Sequence, residues 1–303
     1  MATETKSQTA KSTDRSFGDR LDAWLDEDMS PKRALGVYAV IGVYMAFLLL
    51  PVGYMVLATF TSPDFLYSPR LVPALSELTL DNYISVLSTG LFQQYFINST
   101  IVATSTTILT LVVGTLAAYS LSRFEYPGRA GLLFSFLGTQ MLPRVLILIP
   151  FFLLMFSLNL IDSLLGIIIA PSVLGIPLGT WLLKGYIDDI PGSLDEAAKL
   201  DGCSHIDILW RIIVPLSLPG ITVAGFYTFI RSWNDFLFVS ILSQTTATRT
   251  LPFGLQLFRS QNTVAWELLL TAVTVTVIPV VVLFAIVQRW VVEGLAIGGM
   301  KGA

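Results

Sequence analysis

Residues 190–220 read IPGSLDEAAKLDGCSHIDILWRIIVPLSLPG and form a polar island between two long apolar stretches. The island contains two helix-start signals of the capping-box type, in which a serine precedes an acidic residue by three positions. Ser193 precedes Glu196 at that spacing. Ser204 precedes Asp207 in the same way. The pattern therefore predicts two consecutive helices inside the island.

A glycine separates these two predicted helices. Gly202 stands where a helix that ends near Asp201 needs a residue in the left-handed conformation. We therefore predict a short helix over about 194–201, a break at 202–203, and a second helix from about 205. In the absence of further evidence, this is also the pattern of an ordinary capped helix on a surface loop.

The composition is that of a membrane protein. Of the 303 residues, 54% are apolar and only 13% are charged, and the mean hydropathy is +0.72. Soluble domains carry charged residues at roughly a quarter of positions. About six stretches reach the ~20 residues that a membrane-spanning helix requires. They run over about 34–60, 94–121, 130–156, 163–186, 213–242 and 266–289. The predicted fold is an all-α bundle of about six transmembrane helices.

Other functional classes find little support in the composition. A net charge of −3 and the lack of a basic patch argue against nucleic-acid binding. The single cysteine, Cys203, excludes an intrachain disulfide, and a lone histidine, His205, predicts no metal site. The chain contains no Gly-Lys dipeptide, so it lacks the phosphate-binding P-loop of ATPases. We predict neither a catalytic residue nor a bound cofactor.

The distribution of lysine and arginine predicts the orientation, because these residues concentrate on the cytoplasmic side. With the N-terminus inside, the outer side holds only Arg70, Arg249 and Arg259. The inner side holds Lys6, Lys11, Arg15, Arg20, Lys32, Arg33, Arg123, Arg129, Lys184, Lys199, Arg211, Arg289 and Lys301. Both termini and the island are therefore predicted to be cytoplasmic.

The N-terminal segment, residues 1–33, is predicted to be a cytoplasmic tail. Its first residues are polar and lack the apolar core of a secretory signal. Apolar residues recur at helical spacing between Phe17 and Met29, which is the pattern of an amphipathic helix. Its polar face is acidic, so packing against protein is favoured over an anionic lipid surface. A solvated acidic tail is the alternative.

The island resembles the signature loop of the membrane subunits of ATP-binding-cassette (ABC) importers. That family pattern is Glu-Ala-Ala, three residues, Gly, nine residues, and Ile-x-Leu-Pro. The chain matches it at Glu196, Ala197, Ala198, Gly202, Ile212 and Pro215. Val214 replaces the family leucine. In the family this segment, here the polar loop of residues 188–212, is a coupling helix that docks on a separate ATPase. The resemblance assigns that contact to Glu196, Ala197, Ala198, Asp201 and Gly202.

Three further segments resemble carbohydrate-type permeases of this family. They are ELTLDNYISVL at 77–87, FYTFIRSWNDFLFVSIL at 226–242, and the C-terminal QRWVVEGLAIGGMKGA. The last is similar to the tail of the shorter permease subunit of maltose-type importers, which reaches into the ATPase dimer. The resemblance implies a permease domain over 34–291 and a cytoplasmic tail over 292–303 with contacts at Gly298, Gly299 and Lys301. A frayed terminus is the alternative for this tail.

Several polar residues lie inside predicted spans, where charges are costly. Arg231 and Asp235 are four apart, which predicts a shared helical face and an ion pair, either structural or lining a cavity. Trp233 and Asn234 have the stacking face and the amide that suit a sugar. Together with Arg144, these residues are the predicted substrate path.

The family implies an assembly around this chain. It would contain two copies of an ABC ATPase that carry ATP and Mg, a second homologous permease, and an extracytoplasmic substrate-binding protein, all at a prokaryotic cytoplasmic membrane. The cargo would be a sugar or oligosaccharide, and a polyol or glycerol phosphate is an alternative. Arg144, Arg231 and Asp235 would also fit an ion-coupled secondary transporter.

Overall fold

The structure, a computed structural model, describes residues 31–259 and 264–299. It divides into two compact units, one holding the described residues up to Met55 together with the last two described glycines, and the other Val56–Ile297. The predicted amphipathic helix within residues 1–33 and the predicted contact residue Lys301 lie outside the described residues.

The described residues form helices joined by short loops. They include α1 (Pro31–Ala58), α2 (Gly90–Arg123), α3 (Arg129–Met141), α4 (Arg144–Ser157), α5 (Leu164–Asp188), α6 (Ser193–Leu200), α7 (His205–Leu216), α8 (Leu218–Trp233), α9 (Leu237–Leu242) and α10 (Trp266–Gly299). Short helices at Pro63–Leu66, Asp81–Ser88 and Leu251–Gly254 lie in the connecting segments. The all-α prediction is confirmed.

Two of the predicted spans are broken rather than continuous. Helices α3 and α4 meet at 105°, and α7 and α8 meet at 78°. Pro143 explains the first break, because proline forces the preceding residue out of the helical region and Leu142 has ψ 129°. Four described helices are long and apolar enough to cross a membrane, or up to six if each bent pair is one span. The continuous spans predicted over 130–156 and 213–242 are therefore wrong in shape.

Helix α2 is the centre of the second unit and packs against both α5 and α8. Small residues allow the close approach, because a Cβ on Gly114 would lie 3.5 Å from the backbone nitrogen of Thr180. A Cβ on Gly179 would lie 3.2 Å from the Thr110 methyl group. Helices α2 and α5 therefore pack closely at these small residues.

A single carboxylate joins two loops at the predicted outer end of this bundle. Asp162, in the loop between α4 and α5, accepts hydrogen bonds from the backbone nitrogens of Gln244 and Thr245, both at 3.0 Å. It also accepts from the hydroxyls of Thr248, at 2.6 Å, and Thr245, at 2.8 Å. These donors, led by Thr248, hold the pKa of Asp162 far below its usual range.

We expect Gly166→Ala to destabilise the protein, because the new Cβ would lie 2.3 Å from the backbone oxygen of Leu160. Overpacking of this kind costs about 1–3 kcal/mol. The thermal midpoint of the purified protein measures the loss. Gly185→Ala in the same helix is the matched control, since no atom lies within 4 Å of its Cβ position. Equal midpoints for the two variants would contradict the packing described for α5.

The Asp162 interactions make a prediction about acid stability. A lowered pKa in the folded state gives stability that is present above the unfolded pKa of about 3.9 and is lost as the pH falls through the folded pKa. Asp162→Asn is therefore expected to lower the thermal midpoint at pH 7 and to flatten its dependence on pH below about 4. A variant with the wild-type midpoint and acid profile would show that the loops are held without this carboxylate.

Candidate functional site

The polar loop folds as two helices around a left-handed glycine, as predicted. Gly202 has φ +81°, and its nitrogen donates to the Lys199 oxygen at 3.0 Å. The nitrogen of Cys203 donates to the Ala198 oxygen at 2.9 Å. These two bonds form a Schellman motif, which ends α6 and lets the chain turn back toward the bundle.

The two predicted capping boxes have different outcomes. Ser204 and Asp207 form the predicted reciprocal pair, with the Ser204 hydroxyl accepting from the Asp207 nitrogen at 3.2 Å. The box predicted for Ser193 and Glu196 is wrong. Helix α6 starts one position earlier than expected, so Gly192 occupies the N-cap position and Ser193 is already helical.

Helix α6 has one face toward the bundle and one toward solvent. Asp195 and Ala198 are buried. Glu196, Ala197, Asp201 and Gly202 are exposed and therefore accessible to a partner. Ala198 is 5% exposed and packs in an apolar cluster with Ile187 and Ile208, so in this conformation it anchors the helix and faces away from any docking partner.

The buried face contains an ion pair that the sequence analysis did not identify. Arg123, the last residue of α2, places its Nε 2.8 Å from the Asp195 Oδ2, and the two side chains are 14% and 8% exposed. The Arg123 Nη2 also donates to the Ile190 oxygen at 2.8 Å. The sequence analysis identifies Arg123 only as one of the basic residues predicted on the cytoplasmic side. The sequence signal that could have identified the pair is Asp195, an acidic residue in the first turn of α6 that lies on the opposite face of the helix from its neighbours.

The solvent face is unusually apolar for a polar loop. Leu200, at the end of α6, is 90% exposed, and Ile206 and Trp210 are also exposed. Around them stand Glu196, Lys199 and Asp201, all exposed. An apolar side chain ringed by charged groups is a typical arrangement for a protein-docking surface. We call this set, Glu196, Ala197, Leu200, Asp201 and Ile206, the docking surface.

A second polar site lies within the bundle. Twelve residues line a small cavity of about 20 Å³: Thr106, Gln140, Arg144, Pro171, Leu174, Gly175, Leu178, Tyr227, Thr228, Arg231, Ser232 and Asp235. Three predicted substrate-path residues, Arg144, Arg231 and Asp235, are therefore brought together. The volume is about that of a single water site, so the cavity is too small for a sugar in this conformation.

The predicted pair of Arg231 with Asp235 is wrong, because α8 ends at Trp233 and Asp235 lies beyond it. Asp235 instead faces Arg144, with 3.8 Å between Oδ2 and Nη1. Its other oxygen accepts from the Phe238 nitrogen at 3.0 Å. The guanidinium of Arg231 lies 5.8 Å from the ring centre of Tyr227. The two arginines thus occupy different surroundings in one cavity.

The other two predicted substrate-path residues do not line this cavity. Trp233 is 2% exposed, stacks on Phe229, meets the edge of Phe96, and donates from Nε1 to the Thr276 oxygen at 3.2 Å. The ring is therefore buried in packing contacts. Asn234 is exposed, and its amide donates to the Ile230 oxygen at 2.9 Å, which caps α8.

The C-terminal segment that is predicted to contact the ATPase is helical in its first part. Helix α10 continues through the predicted boundary at residue 292 and ends at Gly299. Gly298 and Gly299 are therefore the last two residues of α10. Their predicted contact with an ATPase remains a prediction.

Comparison with known proteins identifies the family to which the chain belongs. The family model described as the binding-protein-dependent transport system inner membrane component matches residues 110–297, which include the polar loop and every residue of the cavity wall except Thr106. The chain belongs to this family. It is a multi-pass permease component of an ABC importer, and not the ATPase.

Similar proteins extend the match to most of the permease. An inner-membrane ABC transporter permease of Escherichia coli is 32% identical over 88% of this chain and 96% of its own length. A trehalose/maltose transport system permease of Thermococcus litoralis is 34% identical over 84% and 92%. A chain of a bacterial ABC transporter involved in alginate import shares the fold, with a TM-score of 0.75 and 22% identity over 92% of this chain and 99% of that one.

The burial of the Arg123–Asp195 pair can be tested by substitution. We expect Arg123→Ala to destabilise the permease by about 3–5 kcal/mol, because it leaves Asp195 charged and buried. The double variant with Asp195→Ala is expected to recover part of the loss. Thermal midpoints of the purified permease measure both. The exposed pair of Arg211 and Asp207 is the control, with side chains 76% and 37% exposed, and Arg211→Ala should cost under about 1 kcal/mol. Equal losses at the two pairs would contradict the burial described.

Proposed function

We propose that the permease forms, with a second homologous permease, the translocation path of an importer for a sugar or oligosaccharide. Two copies of an ABC ATPase would bind at the cytoplasmic side, and an extracytoplasmic binding protein would deliver the substrate. ATP and Mg would bind to the ATPase, and this chain would carry no cofactor and no catalytic activity. Curated relatives named for trehalose/maltose and maltodextrin transport support the carbohydrate assignment.

The observation that carries the proposal is the docking surface. Its exposed apolar centre, Leu200, and the rigid anchoring of α6 by Asp195 are what a force-transmitting contact requires. When the ATPase pair closes around ATP, it would displace α6. The Arg123–Asp195 pair would pass this displacement to α2, and α7 would pass it to α8. Both helices border the cavity in the bundle, so its opening would follow ATP binding.

The orientation supports the same proposal. Lysine and arginine concentrate in the loops on the side of the polar loop, and this distribution supports a cytoplasmic location for that loop. The ATPase would therefore have access to the docking surface. Asp162 and its loop would lie on the outer side, where the binding protein docks.

Two other functions remain as alternatives. A polyol or glycerol phosphate would need an anion ligand, for which Arg144 is available in the cavity. An ion-coupled secondary transporter would use Arg144, Arg231 and Asp235 as a relay. The docking surface would have no purpose in such a transporter, which makes this alternative the weaker one.

The test is ATP-dependent sugar uptake into proteoliposomes that contain this permease, its partner permease, the ATPase and the binding protein. Leu200→Glu is expected to abolish uptake and to weaken ATPase binding tenfold or more, because burial of a leucine contributes about 1.5–3 kcal/mol. Leu75→Glu is the matched control, since Leu75 is 89% exposed in the outer segment and Leu200 is 90% exposed.

Two results would contradict the proposal. Uptake that proceeds without ATPase and follows an ion gradient would favour the secondary transporter. Normal uptake and ATPase binding by Leu200→Glu would show that the ATPase contacts another surface.

A further inference from the structure

The cavity lies at two interruptions of helical structure, one at the bend between α3 and α4 and the other at the end of α8. Arg144 is the first residue of α4, directly after the 105° break, and Asp235 lies in the non-helical link between α8 and α9. Irregular backbone within a membrane-spanning bundle is tolerated where it lines a cavity, and broken helices commonly build substrate sites. The positions of the breaks therefore mark this cavity as a ligand site, although it is small in this conformation.

Two polar atoms in the cavity wall have no hydrogen-bond partner among the described residues. They are Oδ2 of Asp235 and Oγ of Ser232, and their residues are 7% and 6% exposed. The contrast within α8 is informative, because Thr228, one turn earlier, donates to the Ala224 oxygen at 2.8 Å. An unsatisfied buried polar atom carries an energetic cost. A ligand that brings hydroxyl groups would remove this cost.

The cavity also has an unbalanced charge. Arg144 and Asp235 compensate each other at 3.8 Å, whereas Arg231 has no carboxylate partner among the described residues and lies only beside the Tyr227 ring. The side chains of Arg144, Arg231 and Asp235 therefore give the cavity wall a net charge of about +1, and Arg231 is exposed to solvent in this chain. The N-terminal end of α4, at Arg144, adds the positive end of a helix dipole. A negative group is the missing component.

We propose that this cavity binds an acidic sugar, with the anionic group on Arg231 and sugar hydroxyls on Asp235 and Ser232. The acid would be a carboxylate, sulfonate or phosphate attached to a hydroxylated ring, because such a molecule supplies both the negative charge and the missing hydrogen bonds. This inference rests on the proposed function and specifies its substrate class. Binding requires α4 and α8 to separate, since about 20 Å³ holds no more than one water.

The experiment compares two ligands that differ in one group. Methyl glucuronide and methyl glucoside share a ring, but the first carries a carboxylate where the second carries a hydroxymethyl group. Their affinities for the purified permease–ATPase assembly, measured by titration without the binding protein, isolate the contribution of the cavity. We expect the glucuronide to bind about tenfold more tightly, because hydrogen bonds to ionised groups are about twice as strong.

Variants locate the preference. Arg231→Gln is expected to reduce the tenfold preference to less than about twofold, and Arg231→Lys to retain part of it because the charge remains. Arg70→Gln is the matched control. It removes one positive charge from the outer segment, where Arg70 pairs with Glu77 at 2.7 Å, and should leave the preference intact.

The possible outcomes separate this inference from the proposed function. Equal binding of the two sugars, or a preference of Arg231→Gln equal to that of wild type, would overturn the acidic-sugar inference and leave sugar import standing. Failure of Arg231→Gln to assemble with the second permease would also overturn it, because the missing negative group would then be a carboxylate of that partner. Competition by sulfate as strong as that by the glucuronide would indicate a site for a bare anion. Failure of sugar uptake in the proteoliposome assay would overturn both.

Discussion

The Arg123–Asp195 ion pair is the contact on which the position of the polar loop depends. It fixes the polar loop to the end of α2, and α2 in turn packs against α5 and α8. A buried pair is a poor source of stability, because desolvation offsets most of the attraction, but it is costly to break. Such a contact suits a joint that transmits a displacement, since the two helices it connects move together.

The sequence predicted the elements well where a local signal determines them. The left-handed turn at Gly202 and the cap at Ser204 depend on residues within one helical turn of each other, and both were confirmed. Span lengths and the all-α class followed from hydropathy. The resemblance to the ABC permease family depended on the spacing of residues between Glu196 and Pro215, a pattern that extends over a whole segment.

Features that depend on tertiary contacts were not predictable in the same way. The Arg231–Asp235 pair assumed a continuous helix, but α8 ends two residues before Asp235, which instead meets Arg144 from a distant part of the chain. Trp233 had the chemistry of a sugar platform, yet it is enclosed by Phe96 and Phe229. Ala198 shared a motif with Ala197, and only the three-dimensional packing separates an anchoring residue from an exposed one.

The close packing of α2 on α5 has a mechanical consequence. Where backbones approach as closely as Gly114 and Thr180 do, neighbouring side chains interlock and the two helices resist sliding. The two helices would then move as one rigid unit within the permease. A change between inward and outward access must therefore occur at softer joints, of which the kinks before α4 and α8 are the evident examples. This rigid unit would set the direction of movement, and the kinks would set how far the helices move.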